Sequence, residues 1–348
     1  MVDPSEDLKS QLFTVRETPG AGRAAFATQR LAAGATILVA DDLTAHILLR
    51  EYRGEVCWEC FAYNGGRKLS VRDAKRGITF CSAECETSWK DKHDDICLQA
   101  WEAVENILRT GSNSKEPPLK ASKPTAEEVD EKWRAAEKSA AAIVNYRLSP
   151  QSGAKSGKAT AGSGCQAFRD ALSQPRSADA LSFQLRALLA RYNNPDRWPA
   201  LLALAEEACP YWDQSELERD LRSYLHLACL LPEPLLPLVN PETLRTVKTR
   251  EVHNSFGIRS LEDEGSEFFG FGVWPSASYF NHSCYPNVTK NRVGKTWVFT
   301  ATVDVNAGEE LNISYLGGDE ATLCRSDRQE RLKKVWGFDC ACSFCTGQ

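Results

Sequence analysis

The sequence predicts an α+β protein, with short β-strands toward both ends of the chain and helices in the middle. Brief apolar runs such as Ala35–Val39 and Thr296–Val303 alternate with glycine turns, which is typical of short strands. Between residues 98 and 240, apolar residues recur at the spacing of amphipathic helices. The chain has 348 residues, of which 42% are hydrophobic, so it can bury the cores of two or three domains.

The elements follow from local patterns along the chain. The predicted strands include Phe13–Val15, Ala35–Val39 and Thr296–Val303, and the pattern of strands and glycine turns runs from about Pro241 to Tyr315. The predicted helices span residues 99–109, 126–146, 181–192, 199–208, 214–231 and 321–335. Two stretches rich in Ser, Gly, Ala and Lys, 110–124 and 149–164, predict loops. We interpret the middle helices as a bundle without chemistry of its own.

Composition limits the class of protein and its compartment. A net charge of −5 argues against a general nucleic-acid binder and leaves only local lysines near 115–123 and 155–158 for that role. The acidic N-terminus predicts no secretory signal, and prolines break the most apolar run, 225–239, so no membrane span is expected. We therefore expect a location in the nucleus, the cytoplasm or both. There, the clustered cysteines among the 13 of this chain indicate metal ligands more than disulfides.

Two close cysteine pairs predict one zinc site. Two residues separate Cys57 from Cys60, and three separate Cys81 from Cys85. Such spacing lets a tight turn direct both sulfurs of a pair at one ion, and four thiolates complete a tetrahedral structural site.

A third pair at ligand spacing, His93 and Cys97, stays open. No other cysteine lies between Cys60 and Cys81 to complete a second site. The pair is either half of a second metal site or two structural residues.

The tail predicts a second zinc site. Cys340, Cys342 and Cys345 supply three thiolates, one fewer than a structural site needs. Cys284 is the natural fourth ligand, and it would tie the tail back over the segment Tyr279–Asn287. That segment sets Asn281 and His282 beside Cys284 and ends in Pro286-Asn287, which favours a turn. By itself it is equally typical of a polar turn between strands.

Together these segments resemble the SET-domain protein lysine methyltransferases, and more narrowly the SET-and-MYND branch, in which a MYND zinc finger interrupts the SET domain. The matching segments are Gly20–Gly22, 57–97, Asn254–Phe256, Asn281–Asn287, Gly308–Tyr315 and Trp336–Cys345. Fingers of this family usually hold two zinc ions. The middle Cys-x-x-Cys that the second ion requires is absent here.

The resemblance implies a SET-domain β-fold of short strands, split by the finger and a helical insert and closed by a Cys-rich post-SET cap. The implied domains are a SET N-terminal part (10–56), a MYND-type finger (57–97), a helical insert (98–240), a SET catalytic part (241–318) and a post-SET helix with its zinc cap (319–348).

The resemblance also implies methyl transfer from S-adenosylmethionine to lysine side chains of histone or other proteins. It assigns Tyr315 as the catalytic hydroxyl. It assigns the cofactor site to Gly20, Ala21, Gly22, Asn254, Asn281, His282 and Phe338. Zinc would be bound by Cys57, Cys60, Cys81, Cys85, Cys284, Cys340, Cys342 and Cys345.

Two alternatives use the same sequence differently. A zinc-dependent interaction module would need the finger cysteines and not Tyr315, and MYND fingers in general bind proline-containing peptides. A degenerate SET-and-MYND protein would bind S-adenosylmethionine and transfer nothing. Asn281, His282 and Tyr315 are all present, which argues against the second alternative.

Overall fold

The computed structural model describes residues 11–110, 122–149, 163–261, 267–317, 320 and 322–347. Most of the two predicted loops and of their lysines lies outside these residues. The strands are β1 (Phe13–Thr18), β2 (Gly22–Ala27), β3 (Thr36–Ala40), β4 (Ala45–Leu48), β5 (Val71–Asp73), β6 (Ile78–Phe80), β7 (Ser255–Arg259), β8 (Phe268–Val273), β9 (Val288–Val293) and β10 (Thr296–Ala301). The helices are α1 (Ala83–Asp91), α2 (Asp95–Thr110), α3 (Ala126–Leu148), α4 (Ser163–Ser173), α5 (Ala178–Asn193), α6 (Trp198–Leu202), α7 (Gln214–Leu230), α8 (Pro241–Asn254), α9 (Arg325–Trp336) and α10 (Ser343–Thr346). The predicted α+β class is confirmed.

The chain forms two compact units. The first, which we call the strand unit, contains residues 1–44, 197–205 and 252–348. In it β1 pairs with β2, β7 pairs with β8, and β10 lies between β3 and β9, with all of these pairs antiparallel. Aromatic rings fill its core, and the closest pair is Phe280 and Phe299, with ring centroids 4.6 Å apart.

One segment of the strand unit, 308–315, threads between two others. On one side the Leu311 N–H donates to the Ala25 carbonyl of β2 at 2.8 Å. On the other side the Ile313 N–H donates to the Asn281 carbonyl at 3.0 Å, and the Ser283 N–H donates to the Ile313 carbonyl at 2.9 Å. These bonds bring the two motifs that carry the resemblance side by side, although about 30 residues separate them along the chain.

The C-terminal residues of the strand unit fold back onto Tyr315. Helix α9 ends at Gly337, whose φ of +78° is a left-handed conformation that glycine adopts at little cost. The turn at Gly337 reverses the chain direction and brings Phe338 back near Tyr315. Leu316 and Leu332 form a buried cluster with Cys340 and Cys345, and Tyr315, Trp336 and Phe338 are among the residues that pack against it.

The second unit, which we call the helical unit, contains residues 45–196 and 206–251. Strands β5 and β6 form an antiparallel pair. Helix α5 is buried along most of its length, and α3, α4 and α7 pack together. In this unit Trp133 donates to the Tyr211 hydroxyl at 3.0 Å and lies beside the Tyr224 ring. No described helix is long and apolar enough to cross a membrane.

Two predictions of local structure are wrong. The stretch from Pro241 is a helix, because Asn240 caps its first turn by accepting from the Thr243 N–H at 2.9 Å and Leu244 is buried. The helix predicted at 199–208 ends at Leu202. Beyond Leu202, the Ala205 carbonyl accepts a hydrogen bond from the Asn254 side-chain amide and not from a backbone N–H of a continuing helix. The first difference comes from a local cap that the strand prediction overlooked, and the second from a tertiary contact that overrides local propensity.

A buried histidine of the helical unit gives a prediction for the pH dependence of stability. His226 on α7 is fully buried, and burial, with the charges of Arg176 and Arg222, lowers its pKa to about 4. The unfolded chain therefore binds a proton below about pH 6.5 that the folded chain does not bind, and stability falls as the pH falls. We expect His226→Gln to remove about 2 kcal/mol of the change in unfolding free energy between pH 7 and pH 5.

Denaturant titration at the two pH values measures this difference. The wild-type protein, measured in the same buffers, is the reference for this comparison. Asp220, whose pKa burial raises to about 7, acts in the opposite sense in both proteins, so the comparison isolates His226. An unchanged pH dependence in His226→Gln would contradict the prediction.

Candidate active site and cysteine clusters

Tyr315 lies at the end of the threaded segment, and its surroundings keep it protonated. Its hydroxyl donates to the Phe280 carbonyl at 3.2 Å. Its ring centroid lies 5.6 Å from that of Trp336 and 6.2 Å from that of Phe338. Burial, with the nearby Glu310 charge, raises the pKa of Tyr315 well above its usual value. The side chain is therefore a neutral, oriented hydroxyl at physiological pH.

His282 connects Tyr315 to the cysteine cluster of the tail. Its Nδ1 accepts from the Tyr315 N–H at 3.0 Å, and its Nε2 lies 3.3 Å from Cys284 Sγ. Burial, with the charges of Lys290 and Arg328, lowers the pKa of His282 to about 4. A neutral imidazole that accepts at Nδ1 carries its proton at Nε2, so His282 donates to the sulfur.

The side chains of Asn281 and Asn287 both bond to the threaded segment. Asn281 donates to the Glu310 carboxylate at 3.2 Å. Asn287 donates to the Glu310 carbonyl at 2.8 Å and accepts from the Asn312 N–H at 2.9 Å. The sequence predicts only a turn at Pro286-Asn287. The Asn287 side-chain amide also hydrogen-bonds to the backbone of the threaded segment, in the way that a neighbouring strand would.

The two remaining predicted cofactor segments converge on residues 278–279. Asn254 is buried, and its carbonyl accepts from the Ser278 hydroxyl at 3.3 Å. The Arg23 guanidinium, next to the glycine turn, lies 5.2 Å from the centre of the Tyr279 ring. The turn Gly20–Gly22 is exposed, with φ of +77° at Gly20 and +67° at Gly22.

Three features of the strand unit fit a bound S-adenosylmethionine. The carbonyl of Asn281 and the N–H of Ser283 bond to Ile313, and the backbone groups of His282 between them point the other way. No described residue hydrogen-bonds to the N–H or C=O of His282, which is half-buried. A Cβ built on Gly20 or Gly22 meets no atom within 4 Å, so the backbone there faces open space. Phe338 is half-buried, with its ring centroid 6.1 Å from that of His282.

The tail cysteines converge as the sequence predicts, with Cys284 as the fourth member. The four sulfurs of Cys284, Cys340, Cys342 and Cys345 lie within 4.8 Å of one another. Cys284 Sγ lies 3.6 Å from Cys345 Sγ and 3.9 Å from Cys340 Sγ. Thiolates at about 2.3 Å around a tetrahedral zinc lie about 3.8 Å apart, so this set fits zinc.

The finger cysteines form an equivalent set in the helical unit. The sulfurs of Cys57, Cys60, Cys81 and Cys85 lie within 4.8 Å of one another. Cys81 Sγ lies 3.6 Å from Cys60 Sγ and 3.5 Å from Cys85 Sγ. These distances also fit one tetrahedral zinc.

His93 and Cys97 belong to neither set. The His93 ring stacks on Trp89 at 4.3 Å, and its Nδ1 bonds to the Trp89 carbonyl. Cys97 is buried and donates to Asn193 at 3.4 Å. Their contacts in the described part of the chain favour the structural alternative.

Comparison with known proteins identifies the family. The model of the SET domain matches residues 22–316. The chain belongs to the SET-domain family. This match spans strands β2 to β10, the finger cysteines and the segment that ends at Tyr315, and it confirms the predicted fold.

Individual relatives agree with this assignment. The chain is 26% identical to the potential protein lysine methyltransferase SET6 of Saccharomyces cerevisiae, over 97% of this chain and 96% of the yeast protein. It is 38% identical to a SET and MYND domain-containing protein of Dictyostelium discoideum, over 30% of this chain and 26% of that protein. It is 35% identical to the mouse histone-lysine N-methyltransferase SMYD3, over 27% of this chain and 21% of that protein. The resemblance to SET-and-MYND proteins is thus confirmed.

Sequence reasoning did not single out three residues of this neighbourhood. Glu310 bonds to Asn281, Trp336 packs on Tyr315, and Lys290 donates to the Ser314 carbonyl. Glu310 and Trp336 lie within segments that carry the family resemblance, so their position in those motifs could have identified them. Lys290 stands in a strand with no motif.

Proposed function

We propose that this SET-domain protein is an S-adenosylmethionine-dependent protein-lysine N-methyltransferase, with Tyr315 as its catalytic residue. The observation that carries the proposal is the position of Tyr315. Its hydroxyl bonds to the Phe280 carbonyl, and its backbone N–H bonds to His282, at the meeting point of the two family motifs. The predicted activity agrees with the family and with the names of the relatives.

When bound, S-adenosylmethionine supplies an activated methyl group on a sulfonium. The protein's task is to align the accepting amine with that methyl, and alignment alone can contribute about 7–11 kcal/mol in well-oriented systems. We assign the alignment to the Tyr315 hydroxyl. Because its pKa is raised, it acts as a neutral hydrogen-bonding group and not as a phenolate base.

The same surroundings favour a neutral substrate amine. A free lysine has a pKa of about 10.4 and is charged at neutral pH. The aromatic rings of Tyr315, Trp336 and Phe338 make a low-dielectric environment that disfavours the ammonium form. A strong base is then not required.

We assign cofactor contacts as the resemblance does, with support from the geometry. The backbone groups of His282 are suited to the adenine edge, and Phe338 to its face. The Asn281 amide and Asn254 would contact the amino-acid part. The turn Gly20–Ala21–Gly22 would admit its carboxylate, since glycine leaves room for close approach.

We further propose zinc at both cysteine sets, which predicts two zinc ions per chain. Cys60→Ser should reduce the count to one, because three thiolates hold zinc much more weakly. Metal analysis of purified protein measures this, with Cys165→Ser as the matched control. A third zinc would instead indicate that His93 and Cys97 have ligand partners, and one zinc in the wild type would contradict the proposal.

The activity is tested by incubating the protein with S-adenosylmethionine and with histone and non-histone proteins, followed by mass spectrometry of the substrates. Methyl groups on lysine side chains, absent when Tyr315→Phe is used, support the proposal. S-adenosylmethionine binding without transfer to any protein would favour the degenerate alternative. The substrate is a protein, and its identity is for this experiment to find.

A partner at the finger is a separate proposal. We propose that the finger binds a proline-containing peptide, as the resemblance implies. A shallow, open depression along α1, lined partly by Ala83, Thr87 and Lys92, offers a surface in the helical unit. Titration of a proline-rich peptide should show binding that Cys57→Ser abolishes and Tyr315→Phe leaves unchanged.

A further inference from the structure

The peptide group that joins Ser314 to Tyr315 is held by side chains at both ends. Its N–H donates to His282 Nδ1 at 3.0 Å, and its C=O accepts from Lys290 Nζ. The preceding residue is held differently, because both backbone groups of Ile313 bond to the backbone of Asn281 and Ser283. The backbone pairing therefore stops at Ile313, two residues before Tyr315, and side chains continue it.

Lys290 reaches this peptide from a different strand. It lies on β9, opposite Phe299 of β10. The Phe299 ring packs on Phe280, whose carbonyl accepts from the Tyr315 hydroxyl. The strand that carries Lys290 is thus anchored by the same aromatic core that holds the carbonyl partner of Tyr315.

The side chain of Lys290 is half-buried and has no nearby counter-ion among the described residues. No described carboxylate lies within salt-bridge distance of its Nζ, and burial lowers its pKa to about 8. Burying a charged amine costs free energy unless it is hydrogen-bonded, and here the Ser314 carbonyl supplies that bond. An aliphatic residue would fill the site at lower cost and would leave this carbonyl without its donor.

We propose that Lys290 is a positioning residue for methyl transfer, which fixes the Ser314–Tyr315 peptide and through it the direction of the Tyr315 side chain. This inference rests on the proposed function. Lys290 does not touch the methyl donor or the substrate in this proposal. It acts through the Ser314 carbonyl.

The first test separates kcat from cofactor binding. Lys290→Met should lower kcat by about 10- to 100-fold, because a small misplacement of a catalytic group has effects of this size. The affinity for S-adenosylhomocysteine should stay within about threefold of the wild-type value, because the substitution removes no contact to the cofactor. Lys290→Arg keeps a charged donor and should recover most of the rate. Lys295→Met, in the turn of the same β9–β10 hairpin, is the matched control and should leave both quantities unchanged.

A second measurement reports on Tyr315 without activity. The protein is labelled with 3-fluorotyrosine, and the ¹⁹F resonance of Tyr315 is assigned from Tyr315→Phe. Lys290→Met should shift or broaden that resonance, and Lys295→Met should not. If Lys290→Met does not fold, Lys290→Gln, which replaces the amine with a shorter neutral amide, is measured in its place.

The outcomes separate the two proposals. A wild-type protein that methylates nothing ends the proposed function, and the ¹⁹F comparison then still decides whether Lys290 positions Tyr315. An unchanged kcat in Lys290→Met, an unchanged Tyr315 resonance, or a loss of cofactor affinity as large as the loss of kcat would overturn the inference.

Discussion

Tyr315→Phe is expected to lower kcat for lysine methylation by about 10²–10³-fold, the size typical of removing one oriented hydrogen-bonding group from an active site. The substitution removes only the hydroxyl that bonds to the Phe280 carbonyl. The ring keeps its packing against Trp336 and Phe338. Binding of S-adenosylhomocysteine should therefore change by less than about threefold. Steady-state kinetics and isothermal titration measure the two quantities.

Tyr285→Phe is the matched control for this prediction. Tyr285 is 75% exposed and lies outside the hydrogen bonds that hold the threaded segment, so removing its hydroxyl should leave kcat unchanged. Equal rates in Tyr315→Phe and wild type would remove Tyr315 from the chemistry. Absence of both cofactor binding and transfer, together with peptide binding at the finger, would favour an interaction module.

Cys342→Ser is expected to abolish binding of S-adenosylmethionine while the rest of the strand unit stays folded. Loss of one thiolate should release zinc from the tail set, and structural zinc sites of this kind contribute about 10–16 kcal/mol to local folding. The cluster that packs on Tyr315 and Phe338 includes Cys340 and Cys345. Without zinc, Phe338 should no longer be held near His282, and the proposed adenine face is lost.

This prediction is measured by isothermal titration, metal analysis and thermal unfolding on the same sample. We expect one zinc per chain, retained at the finger, and a cooperative unfolding transition. Cys324→Ser is the control, since Cys324 is an exposed thiol of the same segment outside both cysteine sets. Normal cofactor binding by Cys342→Ser would show that the tail zinc does not order the site.

Much of the site could be predicted from the sequence because its parts are local. Cysteines two to four residues apart can face one ion whatever the rest of the chain does, so the close pairs of both sets were predictable, and Cys284 was the natural fourth ligand for the three tail cysteines. The strands and most helices follow from short-range apolar spacing, as for β3 and α7. The family motifs are also contiguous, which made Tyr315 and the Asn281-His282 pair recognisable.

The two wrong predictions of local structure have different physical reasons. The segment from Pro241 contains proline and several β-branched residues, yet it is helix α8, because Asn240 caps it and Leu244 and Val247 are buried. Helix α6 stops at Leu202, and the carbonyls that follow accept from the side chains of Arg23 and Asn254. The partners of these carbonyls lie far away in sequence, whereas the Asn240 cap of α8 is a local signal that the strand prediction overlooked.

The sequence by itself determined which chemical groups this protein carries: two sets of four cysteines that could hold a metal ion, a tyrosine at the end of a recognisable segment and an α+β framework. Only the tertiary structure decided how they act together. It threads 308–315 between β2 and Asn281–Ser283, sets His282 between Tyr315 and Cys284, and brings Lys290 to the Ser314 carbonyl. The physical reason is that hydrogen bonds and burial act through space. Contacts between residues far apart in sequence produce no local periodicity from which they could be predicted.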